Sequence, residues 1–157
     1  LNLPKWMQLN FAPVAQKLAE KQGGVVSHKD LFNAFAEHYR CDTSDINIDN
    51  FQMHREGEIE KLTLEVNGEV WQGQGSGTLS AICDAWQQRS GVEIDVIDYA
   101  EHAVHFDDQN LVNEAGKNAK AMAYVYLLVN DKKVVAAAME KDTLSAMVLA
   151  VLKGLMD

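Results

Sequence analysis

The sequence predicts an α+β protein: a helical segment followed by two β-β-β-α repeats related by a pseudo-twofold. Three observations predict it. Apolar residues recur at helical spacing over residues 4–40, and beyond residue 46 the period drops to two. The order strand, hairpin, return strand, helix is then written twice. The echo is literal, because "VNGEV" precedes "TLSA" at Thr78–Ala81 and "VNDKKV" precedes "TLSA" at Thr143–Ala146. The helix words lie 143 − 78 = 65 residues apart and the hairpin words 129 − 66 = 63, so two extra residues are expected in the second hairpin region.

The elements follow in order. Met7, Leu9 and Phe11 alternate as a strand would, and Pro13 suits a first helical turn, so a short extended start and a helix over 13–22 are expected. Val14, Ala15 and Leu18 form its apolar face, and Gly23-Gly24 ends it. Ser27-x-x-Asp30 resembles a capping box and opens a second helix, 28–39, carrying Leu31, Phe32, Phe35 and Tyr39 on one face. Polar residues 40–45 mark a boundary, which divides the chain into 1–44 and 45–157.

Strand alternation follows at Phe51 and Met53, then at Leu62, Leu64 and Val66. Asn67-Gly68 is a hairpin signal, since both positions of that turn need positive φ. Val70 starts the return strand, and Thr78–Arg89 reads as a helix with Leu79, Ile82 and Trp86 on one side. The second pass runs through Val92, Ile94 and Val96, a polar loop near 107–118, and the apolar strand Ala121–Val129. Asn130-Asp131 turns the chain, 134–138 returns it, and 142–155 is a helix.

Bulk properties narrow the function classes. A chain of 157 residues with 47% hydrophobic and 24% charged residues is ordinary for a globular protein. The net charge of −9 argues against nucleic acid and anionic membrane surfaces as partners. No apolar run reaches the ~18 residues of a membrane span, and no signal peptide is read at the start. Cys41 and Cys83 lack C-x-x-C spacing and fit two free thiols of a reduced compartment, so a cytoplasmic protein is expected. Leu1 in place of Met is consistent with a piece of a longer protein.

Three stretches compete for chemistry. "DYAEHAVH" offers Asp98, Glu101, His102 and His105, but His102-x-x-His105 lacks the i, i+4 spacing of a helical metal motif, and a polar strand end explains it as well. Cys83 sits inside a helix, where its thiol gains little from helix N–H groups, and no base accompanies it or Ser80. No catalytic or metal-binding residue is therefore assigned. The third stretch is "EVWQGQGSGTLSAICDAW", residues 69–86. Gly73-x-Gly75-x-Gly77 fits neither the dinucleotide fingerprint nor the P-loop. Two readings stay open: an anion site at a helix start, or a tight strand-to-helix connection that contacts nothing.

A family resemblance bears on that choice. "LPKWMQLNFAPVAQKLAEKQGGVVSHKDLFNAFAEHY" resembles the linker of long-form 2-isopropylmalate synthases, "GQGSGTLSAICDAW" their G-x-G-x-G loop and helix, and "IDVIDYAEHAV" their D-Y-x-E-H-A strand end. The resemblance covers nearly the whole chain and is most specific in the linker and at Asp98–Ala103. It implies a helical linker subdomain over 1–44 and a regulatory, dimerising domain over 45–157. It also implies a parent acyltransferase that condenses acetyl-CoA with 2-oxoisovalerate in a metal-dependent TIM barrel, the first committed step to leucine. The barrel motifs do not occur in this stretch, so the divalent metal belongs to the parent's barrel and this chain is expected to be inactive alone, with no cofactor.

The resemblance further implies L-leucine as an allosteric inhibitor and a homodimer as the working unit. The ligand carboxylate would meet Gly75, Ser76, Gly77 and Leu79 at the helix start, with Ser80 beside them. The isobutyl group would meet Leu79, Val96, Tyr99, Ala103, Ala119 and Ala121. Before the second helix the chain reads "VVAAAMEKD" where the family has glycines, so the second helix start is expected to be less open. Two alternatives accompany this reading: a purely structural dimerisation module, and the regulatory domain of a related citramalate or homocitrate synthase sensing another amino acid.

Overall fold

The computed structural model describes residues 2–42, 45–104 and 120–156. Ala119, His105 and the polar loop near 107–118 lie outside the described residues.

The chain starts as a helix. α1 spans Lys5–Lys21 with Pro13 inside it, so the expected extended start over Met7–Phe11 is corrected. The period of four prevails over the period of two: Met7 and Phe11 are buried on one face while Leu9 is 64% exposed. Pro13 lacks an N–H, so only the bond to the Leu9 carbonyl is lost, on a side that faces water. α2 spans His28–His38, and the Ser27 hydroxyl accepts from the Asp30 N–H at 3.1 Å, as its capping role requires.

Two antiparallel sheets follow. The first is β1 (Ile48–Glu56), β2 (Ile59–Val66) and β3 (Glu69–Gly75), with α3 (Thr78–Ser90) after it. The second is β4 (Ile94–Val104), β5 (Lys120–Val129) and β6 (Lys132–Glu140), followed by α4 (Thr143–Met156). The duplication is therefore real as an order of elements. Asn67 and Gly68 (φ 51° and 83°) and Asn130 and Asp131 (φ 49° and 65°) make equivalent two-residue turns. The two extra residues fall in the return strand, since β6 has 9 residues and β3 has 7.

Both helices pack on their own sheet and on each other. The cores merge: Leu62, Leu64 and Ile82 of the first repeat join Val125, Leu127 and Val151 of the second. The opposite face of the second sheet carries α1 and α2, where Met7, Phe11 and Phe35 cover Met122, Tyr124 and Ala137. Each buried Met or Phe side chain among them contributes about 1.5–3 kcal/mol of transfer free energy.

A buried cation adds a polar tie to this second core. Lys153, 6% exposed on α4, donates through Nζ to the Tyr39 carbonyl at 3.0 Å and to the Arg40 carbonyl. These carbonyls belong to the C-cap of α2 and the residue after it, where a positive charge is favoured by the helix dipole. Lys153→Met keeps the stem and removes the ammonium. It is expected to cost about 2 kcal/mol, read as a lower chemical-denaturation midpoint with faster amide exchange in α2. An unchanged midpoint would show that water replaces the ammonium at no cost.

Candidate functional site

The glycine stretch resolves into two functions. A Cβ on Gly73 would stand 2.2 Å from the Ala81 carbonyl oxygen and 2.6 Å from the Ala85 nitrogen, and one on Gly75 would stand 2.4 Å from Ser80 Oγ. These two glycines let α3 lie directly on β3. Gly77 differs, because nothing lies within 4 Å of its Cβ position and its backbone is extended (φ −162°, ψ −178°). It is the N-cap of α3 and brings no side chain to the helix start. The Ser80 hydroxyl turns back, donating to the Gly77 carbonyl at 3.0 Å and accepting from the Gly77 N–H at 3.1 Å. No side chain caps the first-turn amides, the arrangement that receives an anion.

The second repeat closes the corresponding place. Asp142 stands where the first repeat has Gly77, since "GTLSA" aligns with "DTLSA". Its carboxylate accepts from the Ser145 N–H at 2.7 Å and from the Ser145 hydroxyl at 3.1 Å. Those bonds, the backbone one first, hold its carboxyl below the usual carboxylate range. α4 thus carries its own anion. Beside it is a cavity of about 810 Å³ whose walls include Ile46, Ile48 and Phe51 from the first repeat.

The carried-over apolar residues gather on β4 and β5. Val96 faces Leu127, Tyr99 faces Val125, and Ala103 faces Ala121, each pair on the face that looks toward α4. A bulge makes this possible: the register shifts between Val96 and Asp98, leaving Ile97 as an extra residue. Leu79, Tyr99 and Ala121 border the same merged core. Val96 is 38% exposed because α4 lies over β5 and β6. Gly75, Ser76, Gly77 and Ser80 form the second group, at the start of α3. Among the described residues, neither described cavity is lined by any of the carried-over residues.

One residue not carried over belongs with them. Glu101 faces Ala123, which puts it on the same side of β4 between Tyr99 and Ala103. The Tyr99 hydroxyl donates to Glu101 Oε2 at 2.5 Å. Burial, and then the bond to Glu101 and its charge, hold the Tyr99 phenol above its ordinary range, so it stays a donor. The period-two position of Glu101 relative to Tyr99 and Ala103 is the signal in the sequence that points to it.

The alternate residues of β4 face the linker helices. Trp6 Nε1 donates to Asp98 Oδ2 at 2.8 Å, and the Trp6 ring lies 5.6 Å from that of Tyr126. His102 Nε2 is 2.5 Å from the hydroxyl of buried Tyr124, and Nδ1 is 3.0 Å from the Ala103 carbonyl. A carbonyl only accepts, so Nδ1 carries a proton. His102 is thus engaged in the core. Among the described residues, no three His, Cys, Asp or Glu side chains are grouped to hold a metal ion. Burial pushes the Cys41 thiol up to about 12 and the Cys83 thiol up to about 11, the wrong direction for nucleophiles. No helix among the described residues is long and apolar enough to cross a membrane.

Residues 25–157 match the family model described as the LeuA allosteric (dimerisation) domain. The chain is 28% identical over 166 residues to the 2-isopropylmalate synthase of Kocuria rhizophila, covering 98% of this chain and 27% of that protein. It is 26% identical over 159 residues to that of Alcanivorax borkumensis, again 98% and 27%. Against the 2-isopropylmalate synthase of Mycobacterium leprae it is 30% identical over 132 residues, 80% of this chain and 20% of that one. The chain spans about a quarter of the length of the curated relatives it matches. Two repeats of the same fold and a match to this family model over residues 25–157 give one conclusion: this chain belongs to the LeuA allosteric (dimerisation) domain family.

Proposed function

We propose that this chain is the leucine-sensing regulatory region of a 2-isopropylmalate synthase, working as a homodimer in the cytoplasm. The observation that carries the reading is the asymmetry between the two helix starts. α3 has no side-chain cap beside an open Gly77, whereas α4 is filled by Asp142. A leucine carboxylate suits the amides of α3, which offer hydrogen bonds and the positive end of the helix dipole. The isobutyl group suits the face of Val96, Tyr99 and Ala103, where small Ala103 and Ala121 leave room and full burial is worth about 2 kcal/mol. Glu101 on that face is the natural acid for the ammonium.

Regulation then needs leucine to favour one arrangement of the domain over another, because only differential affinity shifts an equilibrium. A second copy fits the same strand, since β4 leaves Val96 and Ile97 (38% and 48% exposed) uncovered.

Titration calorimetry with leucine, isoleucine, valine and lysine tests the reading. Leucine is expected to bind most tightly, valine more weakly for want of a methylene, and lysine not detectably. Tightest binding of lysine or isoleucine would assign the domain to a related synthase. No heat with any of the four would leave a purely structural dimerisation module.

A further inference from the structure

We infer that Asp98 is a positioning residue through which the linker helix α1 sets the ligand face of β4, an inference that rests on the leucine reading above. The bulge at Ile97 is the feature that matters. Val96 and Tyr99 are three residues apart, and in a regular strand they would point to opposite faces. With Ile97 inserted, both look toward the merged core, opposite Leu127 and Val125. Straightening the strand by one residue would turn either Val96 or the Tyr99–Ala103 set away. The candidate apolar socket therefore exists only while the bulge does.

Asp98 holds that bulge from the linker side. Its two carboxylate oxygens are divided between two donors at equal distance. Oδ1 accepts from the Tyr99 N–H at 2.8 Å, and Oδ2 accepts from the Trp6 indole N–H at 2.8 Å. The first bond engages the backbone N–H two residues after the extra one, and the second fixes the carboxylate to α1. Trp6 is itself seated on Tyr126, the residue opposite Asp98 across the sheet. The polarity is fixed, since an indole only donates and a carboxylate only accepts. An amide at 98 offers one oxygen for two donors. Linker docking and socket geometry are thus one event, and leucine and the linker must affect each other reciprocally.

The test uses the full chain with Trp6→Phe, Asp98→Ala, the double variant and Asp98→Asn, each checked for folding by circular dichroism. The first arm needs no ligand: amide exchange at Tyr99 is expected to quicken at least about tenfold in Trp6→Phe as well as in Asp98→Ala. The second arm is leucine calorimetry. Each single variant is expected to weaken leucine by about fivefold or more, and the double variant by no more than the worse single one. Asp98→Asn, which keeps one acceptor oxygen in place of two, is expected between wild type and Asp98→Ala. Wild-type exchange at Tyr99 in Trp6→Phe, or losses that add in the double variant, would overturn the inference. If the wild-type chain gives no heat with leucine, the leucine reading fails alone and the exchange arm decides the lock.

Discussion

Gly77→Asp is expected to leave the chain folded, to stabilise it slightly and to abolish leucine binding. The extended backbone at 77 is open to any residue, and nothing lies within 4 Å of where its Cβ would be. Aspartate is a preferred N-cap, so α3 gains roughly a few tenths of a kcal/mol over glycine. The new carboxylate would take the first-turn amides as Asp142 does on α4. The variant rewrites "GTLSA" as "DTLSA", which turns the first helix start into a copy of the second. Thermal unfolding and leucine calorimetry on the same sample check both halves. A folded variant that binds leucine as wild type does would show that the carboxylate is held elsewhere.

Gly73→Ala is expected to do the opposite, touching no residue of the proposed site directly but damaging the fold. The added methyl meets the Ala81 carbonyl oxygen at 2.2 Å and the Ala85 nitrogen at 2.6 Å, both backbone atoms of α3. Neither atom yields without lifting the helix from the sheet, so the cost is expected to be about 3 kcal/mol or more, at the upper end for overpacking. Urea unfolding measures it. A loss under about 1 kcal/mol would show that α3 can slide along β3.

The same two glycines show where the sequence was legible and where it was not. The repeat, the two-residue turns and the helices were readable because periodicity and turn chemistry act over a few residues. Which glycine serves packing and which leaves the helix start open is a long-range matter, decided by how closely α3 approaches β3. Met7, Leu9 and Phe11 misled for a related reason: alternation over five residues fits a strand, and only the continuation to Val14 and Leu18 reveals the helix face. Only the family resemblance points to Val96, Tyr99 and Ala103. Their common face depends on an extra residue at Ile97 that no short-range pattern announces.

The outer edges of the two sheets have a consequence for growth. Along β3, Asp84 of α3 accepts from the Gln74 N–H at 2.8 Å and Arg89 donates to the Val70 carbonyl at 3.3 Å. Along β6, the Met139 N–H donates at 3.1 Å to the carbonyl of Cys41. The last strand of each repeat is therefore stoppered by groups of the chain itself, while the first strands, β1 and β4, form the other edge of each sheet. A continuous sheet that joins two copies through such an edge ends at both sides on a stoppered strand. That one sheet can double once and then has no further strand edge on which to extend.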